Sequence, residues 1–248
     1  MIPKIINYCW FGKNEKSDFI KKCMESWKKY CPDYRIIEWN EDNFDINSNV
    51  YVKEAYEKKK WAFVSDYVRL YALAKVGGFY LDTDVELVKP LDAFIPYPAF
   101  TGYESKYCIP TAVMGAEKEN EWIEYLLSYY EKRHFILKDG QLDLTTNVVT
   151  ITEMTKNKYI MKFENKLYEI PGVVTFFPKE FFAPKSPGDK KYVITENTVG
   201  IHHFDGSWLE GNKKINEIKM KYSFFLAFIR KLICYIIGEK KFREFRNK

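Results

Sequence analysis

Across its first ninety residues the chain switches repeatedly between runs with the rhythm of strands and runs with the rhythm of helices. Ile2 to Phe11 is apolar and β-rich, is closed by Gly12, and reads as a strand. Ile20, Cys23, Met24 and Trp27 then recur at helical spacing behind Ser17 or Asp18, either of which can cap a helix. Cys31-Pro32-Asp33 stops that helix, Tyr34 to Trp39 reads as a second strand, and Asn40 to Asn49 as a loop. Trp61 to Lys75 is expected to be helical, with Phe63, Tyr67, Leu70, Tyr71 and Ala74 on its buried face. Gly77-Gly78 ends it, since glycine takes the left-handed conformation at little cost. Phe79-Tyr80-Leu81 is a third strand. This order predicts a mostly parallel α/β sheet. In such sheets ligands bind beyond the carboxyl ends of the strands, and the third strand ends at Asp82-Thr83-Asp84.

Residues 120–135 read as a helix, and 159–195 as short strands punctuated by Pro171, Pro178, Pro184 and Pro187. No repeat or linker divides residues 1–210, and a chain of 248 residues, 46% of them hydrophobic, has room for one large core. The formal net charge of +5 hides an asymmetry. Residues 211–248 hold 11 Lys and Arg against 3 Asp and Glu, whereas residues 1–210 hold 28 against 31. A mildly acidic body argues against a general nucleic-acid binder, so no nucleic-acid partner is expected. The tail contains an apolar run, Tyr222 to Ile237, interrupted by Arg230-Lys231, and then a basic end. It is too short and too charged to span a bilayer, which takes about 20 apolar residues. It suits either a basic amphipathic helix in an anionic membrane interface, over 222–248, or a helix packed on protein. Five cysteines with no CxxC spacing argue against a complete disulfide framework and an all-cysteine zinc site. With no secretory pattern at the N-terminus, the expected location is cytoplasmic, at the inner face of the plasma membrane if the tail binds lipid.

The sharpest chemical feature is Asp82-Thr83-Asp84. If these residues are still extended, the two-residue period puts both carboxylates on one side, with Cα atoms roughly 6.5 Å apart. Two hard anionic donors so placed can hold a divalent cation that bridges phosphate oxygens; the alternative is a loop with two solvated acids. A haloacid-dehalogenase-type phosphatase also starts from Asp-x-Asp, but Glu86 stands where that motif wants Thr or Val. Asp66 and Arg69 share a helix face. They form either a surface ion pair worth under about 1 kcal/mol, or a pair whose acid accepts ligand hydroxyls while the guanidinium donates. Near the end, His202-His203 precede Asp205, Gly206, Ser207 and Trp208. A neutral imidazole is a good additional ligand for Mn²⁺-like ions, and no HExxH spacing points to zinc. Trp10, at the end of the first strand, can stack on a nucleobase or belong to the core. No Gly-x-Gly-x-x-Gly, Walker-type loop, Gly-x-Ser-x-Gly elbow or kinase catalytic loop is present.

Taken in order, these segments resemble glycosyltransferase family 32, DXD-containing sugar transferases of capsule and surface-polysaccharide synthesis. The resemblance rests on Ile2 to Gly12, Ser26 to Tyr34, Trp39 to Asp42, Ala62 to Leu70, Gly77 to Glu86, and His202-His203 with Ser207-Trp208. Asn7 departs from it, standing where the family pattern has His. The resemblance implies a GT-A fold: a single Rossmann-like mixed-sheet α/β domain over 1–210, with a basic helical tail over 211–248. It implies a retaining hexosyltransferase with Mn²⁺ or Mg²⁺, a nucleotide-sugar donor (UDP-sugar favoured, GDP-sugar second) and a glycan or lipid-linked glycan acceptor. Carried onto this chain, Trp10, with Tyr8 beside it, would face the nucleotide, and Asp66 and Arg69 the donor sugar and ribose. Asp82 would touch ribose and metal-bound water, Asp84 would ligate the metal, and His203 would be the late metal ligand with His202 as the substitute. Ser207 and Trp208 would face the diphosphate, and Asn147 the sugar or acceptor. Asp66, Arg69, Asp82 and Asp84 are the expected catalytic set.

Three other functions fit parts of this pattern. A glycoside hydrolase would use two carboxylates flanking the scissile bond without metal. A carbohydrate-binding protein of the same fold would bind glycan without turnover. A toxin-like transferase acting on protein would share the chemistry.

Overall fold

The computed structural model of the chain describes residues 1–104, 108–159, 164–185 and 191–205. Residues 1–186 and 191–203 form one compact unit; 187–190 and 204–248 form a second, in which only Phe204 and Asp205 are described. The tail over 211–248, its membrane-binding segment 222–248, and Ser207 and Trp208 therefore lie outside the described residues.

The elements run β1 (Ile5–Cys9), α1 (Asp18–Tyr30), β2 (Arg35–Trp39), α2 (Val50–Glu57), α3 (Trp61–Val76), β3 (Gly78–Leu81), β4 (Val85–Leu87), β5 (Ala99–Gly102), β6 (Val113–Ala116), α4 (Glu121–Ser128), α5 (Asn147–Lys158), β7 (Tyr168–Ile170), β8 (Val174–Phe177) and β9 (Gly200–His202). Seven strands form one sheet in the order β2-β1-β3-β6-β5-β8-β7, while β4 and β9 pair separately. β1 is parallel to both β2 and β3, as the β-α-β-α-β order requires. Beyond β3 the mostly parallel expectation holds only for β5 and β8, which pair parallel. β6 is antiparallel to both β3 and β5, and β7 to β8, so the sheet is mixed. The local reason is that ten residues separate β5 from β6, fewer than a parallel crossover takes.

β3, β5, β6 and β8 are buried along their whole length, because both faces of the sheet are covered. The pleat sorts their side chains. Tyr80, Met114 and Phe176 face a core shared with Val64 and Val68 of α3 and Trp122 of α4. Phe79, Leu81 and Phe177 face a core shared with Trp27 of α1. The first helix starts where expected, with Ser17 Oγ accepting from Ile20 N at 3.3 Å. Two helices were absent from the pattern. α2 follows the Asn-rich segment and is capped by Asn49 Oδ1. α5 begins at Asn147, in a stretch for which the sequence pattern predicts no element. The helix expected over 120–135 is shorter, ending at Ser128.

Gly78 makes the central crossing possible. Its φ is +102°, and a Cβ there would stand 2.5 Å from the Ile5 carbonyl oxygen of β1. Asn7, wholly buried, completes this joint: its Nδ2 donates to the carbonyls of Gly77 (3.0 Å) and Phe79 (3.2 Å), and its Oδ1 accepts from Trp39 Nε1 at 2.9 Å. The residue that departs from the family pattern is thus a strut between β1, β2 and β3.

Candidate active site

Three acidic and basic groups converge at the carboxyl end of β3, by a route different from the expected one. Asp82 and Asp84 are not in extended backbone. Val85 N donates to Asp82 O at 3.0 Å, so Asp82-Thr83-Asp84-Val85 is a turn that folds the two carboxylates together. Asp82 itself is anchored by its N–H to Ala112 O at 2.8 Å. The chain leaves the turn as β4, which α1 holds from beneath: Trp27 Nε1 donates to Val85 O at 2.7 Å, and Leu87 N to Ser26 Oγ at 2.8 Å.

β9 then lies antiparallel on β4, with Val85 opposite His202. That register brings residues more than a hundred positions apart onto one turn. His202 Nε2 lies 3.5 Å from Asp84 Oδ1, and one ligand atom each from Asp82, Asp84 and His202 lie within 4.8 Å of one another. Around an ion with bonds of about 2.1 Å, ligand atoms stand roughly 3 to 4 Å apart, so the set is close to coordinating geometry. Two hard carboxylates and one imidazole suit Mn²⁺, with Mg²⁺ the harder alternative. Burial by itself would lower the His202 pKa, but the carboxylates of Asp84, Asp82 and Glu104 outweigh it and hold the imidazole above its ordinary range. That surplus of negative charge would favour a cation as it favours the proton.

His203, expected to be the metal ligand, points elsewhere. Its Nε2 is 3.0 Å from Glu86 Oε2, its Nδ1 is 2.9 Å from the Tyr192 hydroxyl, and its ring meets Phe19 edge-on. Neighbouring residues at a strand end face opposite sides, so only one of the two histidines can join Asp84. That one is His202.

Behind the turn lies Arg69 of α3, with a side chain only 6% exposed. Its Nη1 donates to Thr111 O (2.8 Å) and Thr111 Oγ1 (2.7 Å) and sits 3.2 Å from Asp82 Oδ1; its Nη2 is 3.2 Å from Asp66 Oδ1. Tyr80 places its ring under the guanidinium, 4.8 Å away, and donates its hydroxyl to Asp82 Oδ1 at 3.0 Å. The expected Asp66–Arg69 contact is present, but as part of a buried network rather than a surface pair. Burial pushes the Asp66 carboxyl up to about 6 despite the pull of Arg69. For Arg69, burial disfavours charge, and Asp82, Tyr80 and Asp66 more than restore it.

Asn147 opens α5 against this cluster. Its Nδ2 donates to Asp66 O at 3.3 Å, while its Oδ1 is buried without a hydrogen-bond partner. An orphaned acceptor beside a buried acid is the kind of place where sugar hydroxyls donate. Trp10, just past β1, is half-buried; its Nε1 donates to Asn14 O at 2.7 Å, and Lys16 Nζ sits 5.1 Å from its ring. Tyr8 is buried, its ring edge-on to Trp27 at 5.6 Å and its hydroxyl bonded to Glu38. Burial and Glu38 both keep that phenol protonated.

Thr111, Tyr80 and Glu104 belong to this neighbourhood and were not singled out from the sequence. Glu104 had a usable signal: it stands two residues beyond the run Ala99 to Gly102, as Asp82 stands one beyond Phe79 to Leu81.

Residues 17–101, which include Asp66, Arg69, Asp82 and Asp84, match the family model described as "Glycosyltransferase sugar-binding region containing DXD motif". Over 130 residues the chain is 30% identical to "Inositol phosphoceramide mannosyltransferase 3" of Schizosaccharomyces pombe, covering 49% of this chain and 35% of that protein. Over 147 residues it is 26% identical to "Mannosyl phosphorylinositol ceramide synthase SUR1" of Saccharomyces cerevisiae, covering 55% and 37%. The chain therefore spans little more than a third of the length of these curated relatives. Among solved structures, "PaToxG Glycosyltransferase" overlays with a TM-score of 0.48 at 20% identity, covering 64% of this chain and 70% of that one.

Proposed function

We propose that this chain, whose residues 17–101 match the DXD-containing glycosyltransferase sugar-binding model, is a metal-dependent, retaining glycosyltransferase of that family. It would move a hexose from a UDP- or GDP-sugar to a glycan or lipid-linked glycan. The observation that carries this reading is the gathering of Asp82, Asp84 and His202 at the carboxyl edge of the sheet.

These three residues would hold Mn²⁺ or Mg²⁺. The ion would supply positive charge against a diphosphate that gains negative charge as the glycosidic bond breaks. The remaining residues prepare the ground for that step. Arg69 and Tyr80 fix the Asp82 carboxylate in place, so it does not reorganise during reaction. Asp66 and the free Asn147 oxygen would accept donor-sugar hydroxyls, and Trp10 would offer its face to the base. Retention fits attack from the leaving-group face, with the acceptor proton passing to a diphosphate oxygen. Two curated relatives are named for mannosyl transfer and for inositol phosphoceramide, which supports a mannose donor and a lipid-linked acceptor among the choices. A basic 222–248 segment would suit work at an anionic membrane surface. Among the described residues, no helix is long and apolar enough to cross a membrane.

The test is a donor panel of UDP-glucose, UDP-galactose and GDP-mannose, scored for nucleoside diphosphate release. One donor is expected to be turned over with Mn²⁺, to stop on chelation with EDTA and to resume when Mn²⁺ is restored. Release that chelation leaves unchanged, or no release from any donor, would contradict the proposal.

A further inference from the structure

Glu104 is a buried acid for which the fold itself has no visible use. It is 6% exposed and stands two residues past β5. Its backbone is pinned: Tyr103 N donates to Phe177 O at 2.9 Å and Glu104 N to Cys108 O at 3.1 Å. Burial holds its carboxyl above the usual range; His202 and Lys179 favour the charge and Asp82 opposes it, none of them through a hydrogen bond. Placing a carboxylate there costs stability, and costly acids cluster at functional sites. It does not belong to the group of Asp82, Asp84 and His202 that could share an ion.

The topology says which side of the site it serves. β3 and β5 are both antiparallel to β6, so they are parallel to each other, and their carboxyl ends emerge on one edge. Along that edge the order is β1, β3, β6, β5. Trp10 follows β1, Asp82 follows β3, Thr111 precedes β6 and Glu104 follows β5. A donor with its base at Trp10 and its diphosphate at Asp82 and Asp84 would carry its sugar toward β6, where Arg69 already bonds Thr111. Glu104 stands beyond, on the side left for the molecule that attacks.

We infer that Glu104 is a catalytic residue whose carboxylate accepts a hydrogen bond from the attacking hydroxyl and aims its oxygen at the anomeric carbon of the sugar. This rests on the transferase reading above. In the step, the acceptor oxygen bonds to the anomeric carbon as the bond from that carbon to the diphosphate oxygen breaks. The electron pair leaves with the diphosphate, which also receives the proton; Glu104 orients the hydroxyl and ends the step unchanged.

The experiment uses the full chain, Mn²⁺, the donor that the wild type turns over, and water as the attacking molecule. For Glu104→Ala, kcat for nucleoside diphosphate release is expected to fall by about 30-fold or more. Donor affinity by calorimetry, KM for donor and the Mn²⁺ requirement should stay within about threefold. Glu104→Gln, nearly isosteric and still a hydrogen-bond acceptor, should keep more of the rate than Glu104→Ala and carries the test if the alanine variant does not fold. An unchanged kcat, a loss confined to KM, or a parallel loss of Mn²⁺ binding would overturn the inference. A wild type that releases nothing from any donor would overturn the transferase reading as well, which keeps the two failures apart.

Discussion

Asp84→Ala is expected to lower nucleoside diphosphate release by about a thousandfold or more, roughly 4 kcal/mol of transition-state stabilisation. The melting temperature should stay within a few degrees of wild type. The separation between the two outcomes follows from which atoms of Asp84 hold the structure together. Its backbone carbonyl accepts from His203 N at 3.1 Å, and the turn closes through Asp82 O and Val85 N; alanine keeps both bonds. Its carboxylate faces His202 at 3.5 Å with a side chain 16% exposed, and it is this group that would grip an ion. Removing it takes away a ligand without opening a cavity in either core. Activity within about tenfold of wild type would mean that the turn does not carry the chemistry.

Arg69→Met should act on both stability and activity. The guanidinium is bonded to Thr111 and paired with Asp66 and Asp82. Methionine fills much of the same volume but takes the guanidinium away from Asp66, Asp82 and the Thr111 carbonyl, leaving Asp82 with the Tyr80 hydroxyl as a donor. Breaking a buried pair from one side costs about 3–5 kcal/mol. For a chain of this length that corresponds to a melting temperature lower by roughly 6–20 °C. Urea unfolding checks it directly. A loss below about 1 kcal/mol would restore the surface-pair view of Asp66 and Arg69. Arg69→Lys keeps the charge, but its single ammonium cannot reach all three partners in the plane of a fork, so most of the loss should remain.

The parts of this protein that could be read from sequence are those set by neighbours along the chain. Ser17 caps α1, Gly77-Gly78 ends α3, and Leu81 leads into Asp82, all from local backbone preference and periodicity. What escaped was set at long range. The antiparallel pairing of β5 with β6 depends on how the chain returns after β5, which carries no periodic signature. The choice between His202 and His203 depends on the register of β9 on β4, fixed by residues far away in the chain. A one-residue slip would exchange the two imidazoles. The Asp-x-Asp pair was found for an incomplete reason: extended backbone would place the carboxylates on one side, but it is the turn that brings them close enough to share an ion. Arg69 looked like a surface residue because a lone i,i+3 ion pair usually is one. Only the packing of Thr111 and Tyr80 around it shows otherwise.

Titration of the full-length protein with Mn²⁺, followed by the loss of the free-ion electron paramagnetic resonance signal, tests the central claim most directly when wild type is compared with His202→Ala and His203→Ala. If Asp82, Asp84 and His202 share one ion, His202→Ala weakens the apparent affinity by about tenfold or more, while His203→Ala stays within about threefold. The reverse order, or a wild type that binds no Mn²⁺, would contradict the account.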